Sequence, residues 1–422
     1  MQKKIITIIT LGILIISCVT SKQKFNAAST ISLAGRTPQS LSINIDKIVS
    51  ASGNAITIPG KIITIPEVFK RVRTIILETN KDVRIGEVNS IQVYGDEIFI
   101  SDIVKSMGVF VFNKEGRYIW RIGKVGQGPG EYTEPSDFTI DKKNKLMYLL
   151  DARMQNIVKY NLETGAYLSS IKVPDGDGKC LHIQCVGDKL YGDAFIVGKG
   201  KNNFLIQEID VTTGQRVKKW LPASVYNCSV SDNPKLFKGI MDVFYDKMQD
   251  APKFVQLYMD TVMTFNEQGV IPYLAVKSKN FVKESDLESR YDPERIRETR
   301  HNETYLPKIR NVREFITYKN IIYFQVSESS SGYEFIYNST TGETSVLFGK
   351  DTFIYDVKDH YRTTLPRFYT SSDDGMYGVV HPLDMPQLVK FAKEGKLAKN
   401  LDKLDQLMKL DANTNPIIFV YE

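Results

Sequence analysis

Apolar and polar residues alternate along most of this chain, and the alternation is interrupted at regular places by an Asx residue followed closely by glycine. Period-two alternation marks half-buried strands. Five stretches share one form, a strand, an Asx-opened turn closed by glycine, and a second strand: VFVFNKEGRYIWRIG (109–123), NIVKYNLETGAYLSSI (156–171), FLIQEIDVTTGQRVKKW (204–220), DTVMTFNEQGVIPYLAV (260–276) and YEFIYNSTTGETSVLFG (333–349). Asn113, Asn161, Asp210, Asn266 and Asn338 open the turns, and Gly116, Gly165, Gly214, Gly269 and Gly342 close them. Asx side chains bond backbone amides two residues on, and glycine accepts positive φ. The closing glycines are spaced by 49 residues twice, then by 55 and 73. A constant period that is later lengthened by insertions predicts radial repetition rather than two stacked sheets.

Each hairpin follows another strand pair: SIQVYGDEIFISD (90–102), DFTIDKKNKLMYLLD (137–151), HIQCVGDKLYGD (182–193), EFITYKNIIYFQV (314–326) and RFYTSSDDGMYGVV (367–380). The fourth inner pair is expected within 235–259. Two pairs make a four-stranded blade. One strand, in NPIIFVYE (415–422), lacks a hairpin partner, as does FKRVRTIILET (69–79). Pairing these two closes a ring and removes the edges that invite aggregation. The fold expected over residues 61–422 is therefore an all-β, six-bladed β-propeller of four-stranded blades. Its N-terminal strand closes the ring on the C-terminal strand, and short helices are inserted. One insertion is KESDLESRYDPERIRETRH (283–301), where Ser285 and Glu288 fit a capping box and Asp292-Pro293 a helix start. The other is 387–411, with Leu397, Leu401, Leu404 and Met408 on one stripe. Its mixed charges predict a helix packed on the rim rather than on a membrane.

The first 17 residues read as a signal peptide: Lys3 and Lys4, then an apolar run from Ile5 to Ile16 too short to span a bilayer. The run ends in Leu-Ile-Ile-Ser-Cys18, which resembles a bacterial lipobox and implies lipid attachment at Cys18. Residues 18–60 are polar and small and read as a flexible tether. Removing the leader leaves 53 basic against 49 acidic residues, spread evenly, so nucleic acid is not an expected partner.

Chemistry is sparse. Cys180, Cys185 and Cys228 remain after Cys18, too few and too odd for a disulfide framework. Cys180 and Cys185 lie roughly 16 Å apart along a strand, so a bridge between them needs a bend; a Cys180–Cys228 bridge stays open. The histidines His182, His301, His360 and His381 show no zinc spacing, so no metal or cofactor is implied. GQGPG (126–130) lacks the Lys-Ser/Thr of a phosphate loop, and Pro129 removes an amide donor. No G-x-S-x-G elbow is present. One constellation remains. Aligned inner strands place Ser90, Asp137, His182, Glu314 and Arg367 in one register, so a propeller gathers them at the channel mouth. Such a ring has two readings, a polar ligand site and the solvated ends of strands.

Together IGKVGQGPGEYTEPSDFTID (122–141), MDTVMTFNEQGVIPYLAV (259–276) and NPIIFVYE resemble the six-bladed β-propeller lipoproteins of Bacteroides-type bacteria, which are related to NHL-repeat propellers. The resemblance runs from about Val68 to Glu422. It implies export and the fold, and no activity. Surface lipoproteins of such bacteria carry acids after the lipidated cysteine; Val19 to Lys24 has none, which implies an outer-membrane anchor facing the periplasm. The expected function is a binding or scaffold module. It presents its channel face, or the segments 228–258 and 277–312, to a glycan, a peptide or an envelope protein. The rival is a channel-based lyase or hydrolase.

Overall fold

A computed structural model describes residues 41–52, 55–57, 60–174, 179–194, 204–222, 243–256, 259–267, 269–281, 309–328, 331–347, 351–352, 355–356, 367–397 and 401–422. Cys18, Cys228, His301, His360 and the insertion 283–301 lie outside them. Six antiparallel sheets are built in the predicted order. Blade 1 spans Ser90–Ile122, blade 2 Pro135–Lys172, blade 3 Ile183–Pro222, blade 4 Phe244–Lys277 and blade 5 Ile309–Leu347. Blade 6 combines Arg367–Ser372, Gly375–Val380 and Ile417–Tyr421 with Val72–Ile76 from the other end of the chain. The inner pair of blade 4, left vague by the sequence, is Phe244–Tyr245 with Lys253–Phe254.

Ring closure runs as predicted, antiparallel from Ile417 opposite Ile76 to Tyr421 opposite Val72. Ile418, Phe419 and Val420 are fully buried there. Asn415 fastens the same corner, accepting from the Ile85 amide and donating to the Glu78 carbonyl.

The hairpin turns form for the reason the residue types suggest. The Asn161 side chain accepts from the amides of Glu163 and Thr164, and that of Asp210 from Thr212 and Thr213. Gly165 closes its turn at φ +68°, and it carries a second constraint. Trp120 of the preceding blade lies where a Cβ would stand, 1.9 Å from the indole. The hairpins of blades 1 to 4 thus seat the end of the preceding blade at Gly116, Gly165, Gly214 and Gly269, which a side chain there would block, whereas Gly342 of blade 5 meets nothing within 4 Å.

Two expectations are corrected. The tether expected over 18–60 is structured from Leu41 on: Leu41–Asn44 adds a parallel fifth strand to blade 4, from Leu41 opposite Leu274 to Asn44 opposite Lys277. Ile43 and Ile45 are buried there, and the Leu41, Ile43, Ile45 alternation is a strand signal in an otherwise polar segment. Further on, Ile62–Ile63 does the same for blade 5 against Val346 and Leu347. The segment 387–411 is not one helix. Met385–Lys393 and Leu404–Leu407 are separate helices, with Gly395 at φ +67° and Lys403 at φ +56° between them. The predicted stripe still faces inward, with Leu397 and Leu401 buried and Leu404 and Met408 packed on the same cluster. Asp402 caps the outer edge of blade 6 by accepting from the Thr74 amide.

Closure yields a direct expectation. Ile418→Ala leaves a cavity in the closing sheet and lowers stability by roughly 2–5 kcal/mol in denaturant titration. Val217→Ala, on an exposed outer strand, leaves it within about 0.5 kcal/mol.

Candidate functional site

The inner strand of each blade pairs on one side only, and its other edge faces the propeller axis. Backbone groups on that edge are buried and need partners. Side chains of neighbouring inner strands supply them. Gln92 donates to the Phe138 carbonyl, joining blade 1 to blade 2. Asp137 accepts from the Ile183 amide, joining 2 to 3. Gln184 donates to the Lys247 carbonyl, joining 3 to 4. Asp246 accepts from the Thr317 amide and hydroxyl, joining 4 to 5. The Ser371 hydroxyl donates to the Thr317 carbonyl, joining 5 to 6. Tyr369 donates to the Val88 carbonyl, returning to blade 1. Every seam of the ring is crossed once or more.

Lys247 crosses the ring, donating to both Asp137 oxygens at 2.7 and 2.8 Å and to the Phe138 carbonyl at 2.7 Å. Both side chains of this pair are more than nine-tenths buried. A buried pair of this kind specifies an arrangement more than it adds stability, but losing one partner strands a charge.

The five residues expected at the channel mouth can now be placed. Ser90, Asp137 and His182 each stand two residues before an inner-strand residue opposite an aromatic: Gln92 opposite Phe99, Thr139 opposite Tyr148, Gln184 opposite Tyr191. Arg367 keeps the same level by pairing with Val379 at the start of its strand. Glu314 does not. A bulge between Arg313 and Ile316 puts Arg313 opposite Gln325 and makes Glu314 an extra residue at φ +54°. A linear alignment cannot see that slip.

Ser90 and Glu314 line one small cavity on the axis, with Tyr245, Asp246, Lys247 and Tyr369. Its free space is on the order of two or three water molecules, too little for a sugar ring. Asp137 reaches it only through Lys247. His182 is buried and held by Asp193, whose carboxylate meets the His182 ring Nδ1 and amide, both at 2.8 Å. Burial pushes the Asp246 carboxyl up to about 6, against the lowering effects of Lys253 and the Thr317 hydrogen bonds.

Asp193 belongs to a recurring device that the sequence reading passed over. Asp102 collects the amides of Gly86, Val104 and Lys105. Asp151 holds the Thr133 hydroxyl and the Met154 amide, and Asp193 the Leu181 and His182 amides. In each of these three blades a buried Asp ends the second strand and fastens the linker leading into the inner strand. The signal was present as the final residue of FISD, YLLD and LYGD. The His182–Asp193 contact is the blade 3 version of this staple.

Cys180 and Cys185 are separate free thiols, both buried. Burial pushes Cys185 up to about 12 and Cys180 well above its ordinary value, so neither is a ready nucleophile. Among the described residues, no cluster of three or more His, Cys, Asp or Glu is disposed to hold a metal ion.

Residues 53–422 match the family model described as "Domain of unknown function (DUF4934)". No curated protein matches the chain. Among solved structures, a Bacteroides fragilis protein described as exported superposes with a TM-score of 0.63 at 16% identity, covering 91% of this chain and 98% of its own. A Bacteroides vulgatus member of the duf4221 family gives a TM-score of 0.48 at 10% identity, covering 84% and 96%. The first of these likenesses supports the propeller fold and nothing finer.

Lys247→Met strands the Asp137 carboxylate and should cost roughly 3–5 kcal/mol in chemical denaturation. Asp246 predicts a pH effect of definite sign. Its folded-state pKa lies above the unfolded value, so the native state keeps the proton longer and stability falls as pH rises from about 4 through 6. The loss is on the order of 2–3 kcal/mol. Asp246→Asn should flatten that slope in thermal melts taken across the range.

Proposed function

The chain belongs to the DUF4934 family, and from that premise we propose that it is an exported, lipid-anchored binding or scaffold propeller rather than an enzyme. One observation carries the reading. Among the described residues, Gln92, Asp137, Gln184, Asp246 and Lys247 are engaged in joining blades, and the cavity beside them has room for only a few water molecules. A partner is then met on the outside. The face where inner strands begin is favoured, because the two longest intervals between described blade strands, from Pro222 to Phe244 and from Lys277 to Ile309, leave and re-enter the ring there. Partners of the proposed kind are a glycan, a peptide or an envelope protein. The leader ending at Cys18 supports the location.

The channel-enzyme alternative asks His182 to exchange protons with a substrate. Its Nδ1 is committed to Asp193, and the ring is buried, which argues for a structural histidine. Asp137 serves the ring in the same sense.

Affinity capture from detergent-solubilised envelope, together with calorimetry against oligosaccharides and peptides, tests the proposal. Binding found in this way should survive Glu314→Ala and His182→Ala in protein that remains folded by circular dichroism. Turnover of any small substrate that disappears in folded His182→Ala would overturn it in favour of the enzyme.

A further inference from the structure

We propose that the connections of blades 6, 1 and 2 on the face where the inner strands begin dock on an anionic lipid surface. The inference rests on the membrane-anchored reading above and adds an orientation to it.

The second strand of every blade ends on the face where the inner strand begins, so the connection from second to third strand lies there. In blades 1, 2 and 6 these connections expose Val104 at 52%, Met154 at 47% and Leu383 at 89%. The linker from blade 1 to blade 2 adds Val125 at 48%. The three blades are consecutive around the ring, since blade 6 adjoins blade 1 through Tyr369 and Val88. Lone exposed apolar residues are ordinary on protein surfaces. Here they share one face, one sector and one accompaniment. Lys105 follows Val104, Arg153 precedes Met154 and Lys124 precedes Val125, all exposed. Behind Leu383, the helix Met385–Lys393 carries exposed Lys390 and Lys393. Nearby acids are Glu134 and Glu394, both exposed, Asp384 beside Leu383, and Glu131; Glu131 is bridged to Lys124 and Glu394 to Lys396.

A folded protein partner calls for a contiguous apolar patch with a fitted surface. These tips stand on separate loops, which suits a fluid surface that conforms to each. A bilayer interface takes apolar tips into the acyl boundary and cations onto its phosphates. Chain length permits the contact. Residues 19–40 separate Cys18 from the first described strand and reach at most roughly 75 Å when extended.

The test uses full-length protein purified from its producing cells and mixed with vesicles of phosphatidylglycerol and phosphatidylcholine, or of phosphatidylcholine alone. Amide hydrogen exchange is read at 103–107, 153–155 and 381–384. Exchange there should slow on the anionic vesicles. Lys105→Gln and Arg153→Gln should each weaken vesicle binding by about fivefold at low salt. Val104→Asp combined with Met154→Asp should abolish the protection, while Val217→Asp on an outer strand should not. Equal exchange with and without anionic vesicles, or protection that survives the two aspartates, overturns the proposal. The mass of the N-terminal peptide from the same preparation reports separately on acylation of Cys18, so a failed anchor and a failed docking face are told apart.

Discussion

A propeller places six strands around an axis with no sheet partner on their inner side, and the backbone groups left there must still be satisfied. In this protein side chains do it, blade to blade, through Gln92, Asp137, Gln184, Asp246, Ser371 and Tyr369. The rest of the molecule follows from that constraint. Polar residues at the axis are obligatory, and their identity differs between blades because each meets a different neighbour. Lys247 is drawn across to Asp137 because a carboxylate already fixed by a backbone amide offers a ready counter-charge.

The same constraint explains why a polar register is weak evidence of a binding site in this architecture. Ser90, Asp137, His182 and Arg367 were legible as one level because the strand period places them there. Their use was not legible, since it depends on which atoms of the adjacent blade come within reach. Lys247, Asp246 and Asp193 were missed for a different reason. The first two stand in a short connection that carries no periodic pattern, and the third bears a signal, the Asp that ends three second strands, which reads alone as an ordinary polar strand end.

Much of the architecture was open to reading because it is local. An Asx side chain and a glycine at fixed separation dictate a turn whatever lies elsewhere, and five such turns set the blade count once the terminal strands were paired. What escaped notice was non-local or short. Leu41–Asn44 gives four residues of alternation inside a polar stretch, and its partner at Leu274–Lys277 is remote in the chain. Glu314 slips by one residue through a bulge that leaves no mark in composition. The helix expected over 387–411 broke at Gly395 and Lys403, while its buried stripe survived, because burial acts on side chains and tolerates a change in the backbone that carries them.

The segment that runs along blades 4 and 5 before entering blade 6 has a consequence for how the molecule comes to be. These strands emerge early in synthesis, yet each is complementary to a sheet that does not exist until much later. Val72–Ile76 waits longest, for a strand at the opposite end of the domain. Until then the nascent chain holds apolar, strand-forming segments with nothing to pair with, in a form open to any other extended polypeptide nearby. A chain that crosses a membrane before folding would bring that interval into the envelope, where holding factors rather than the chain's own contacts must keep those segments apart.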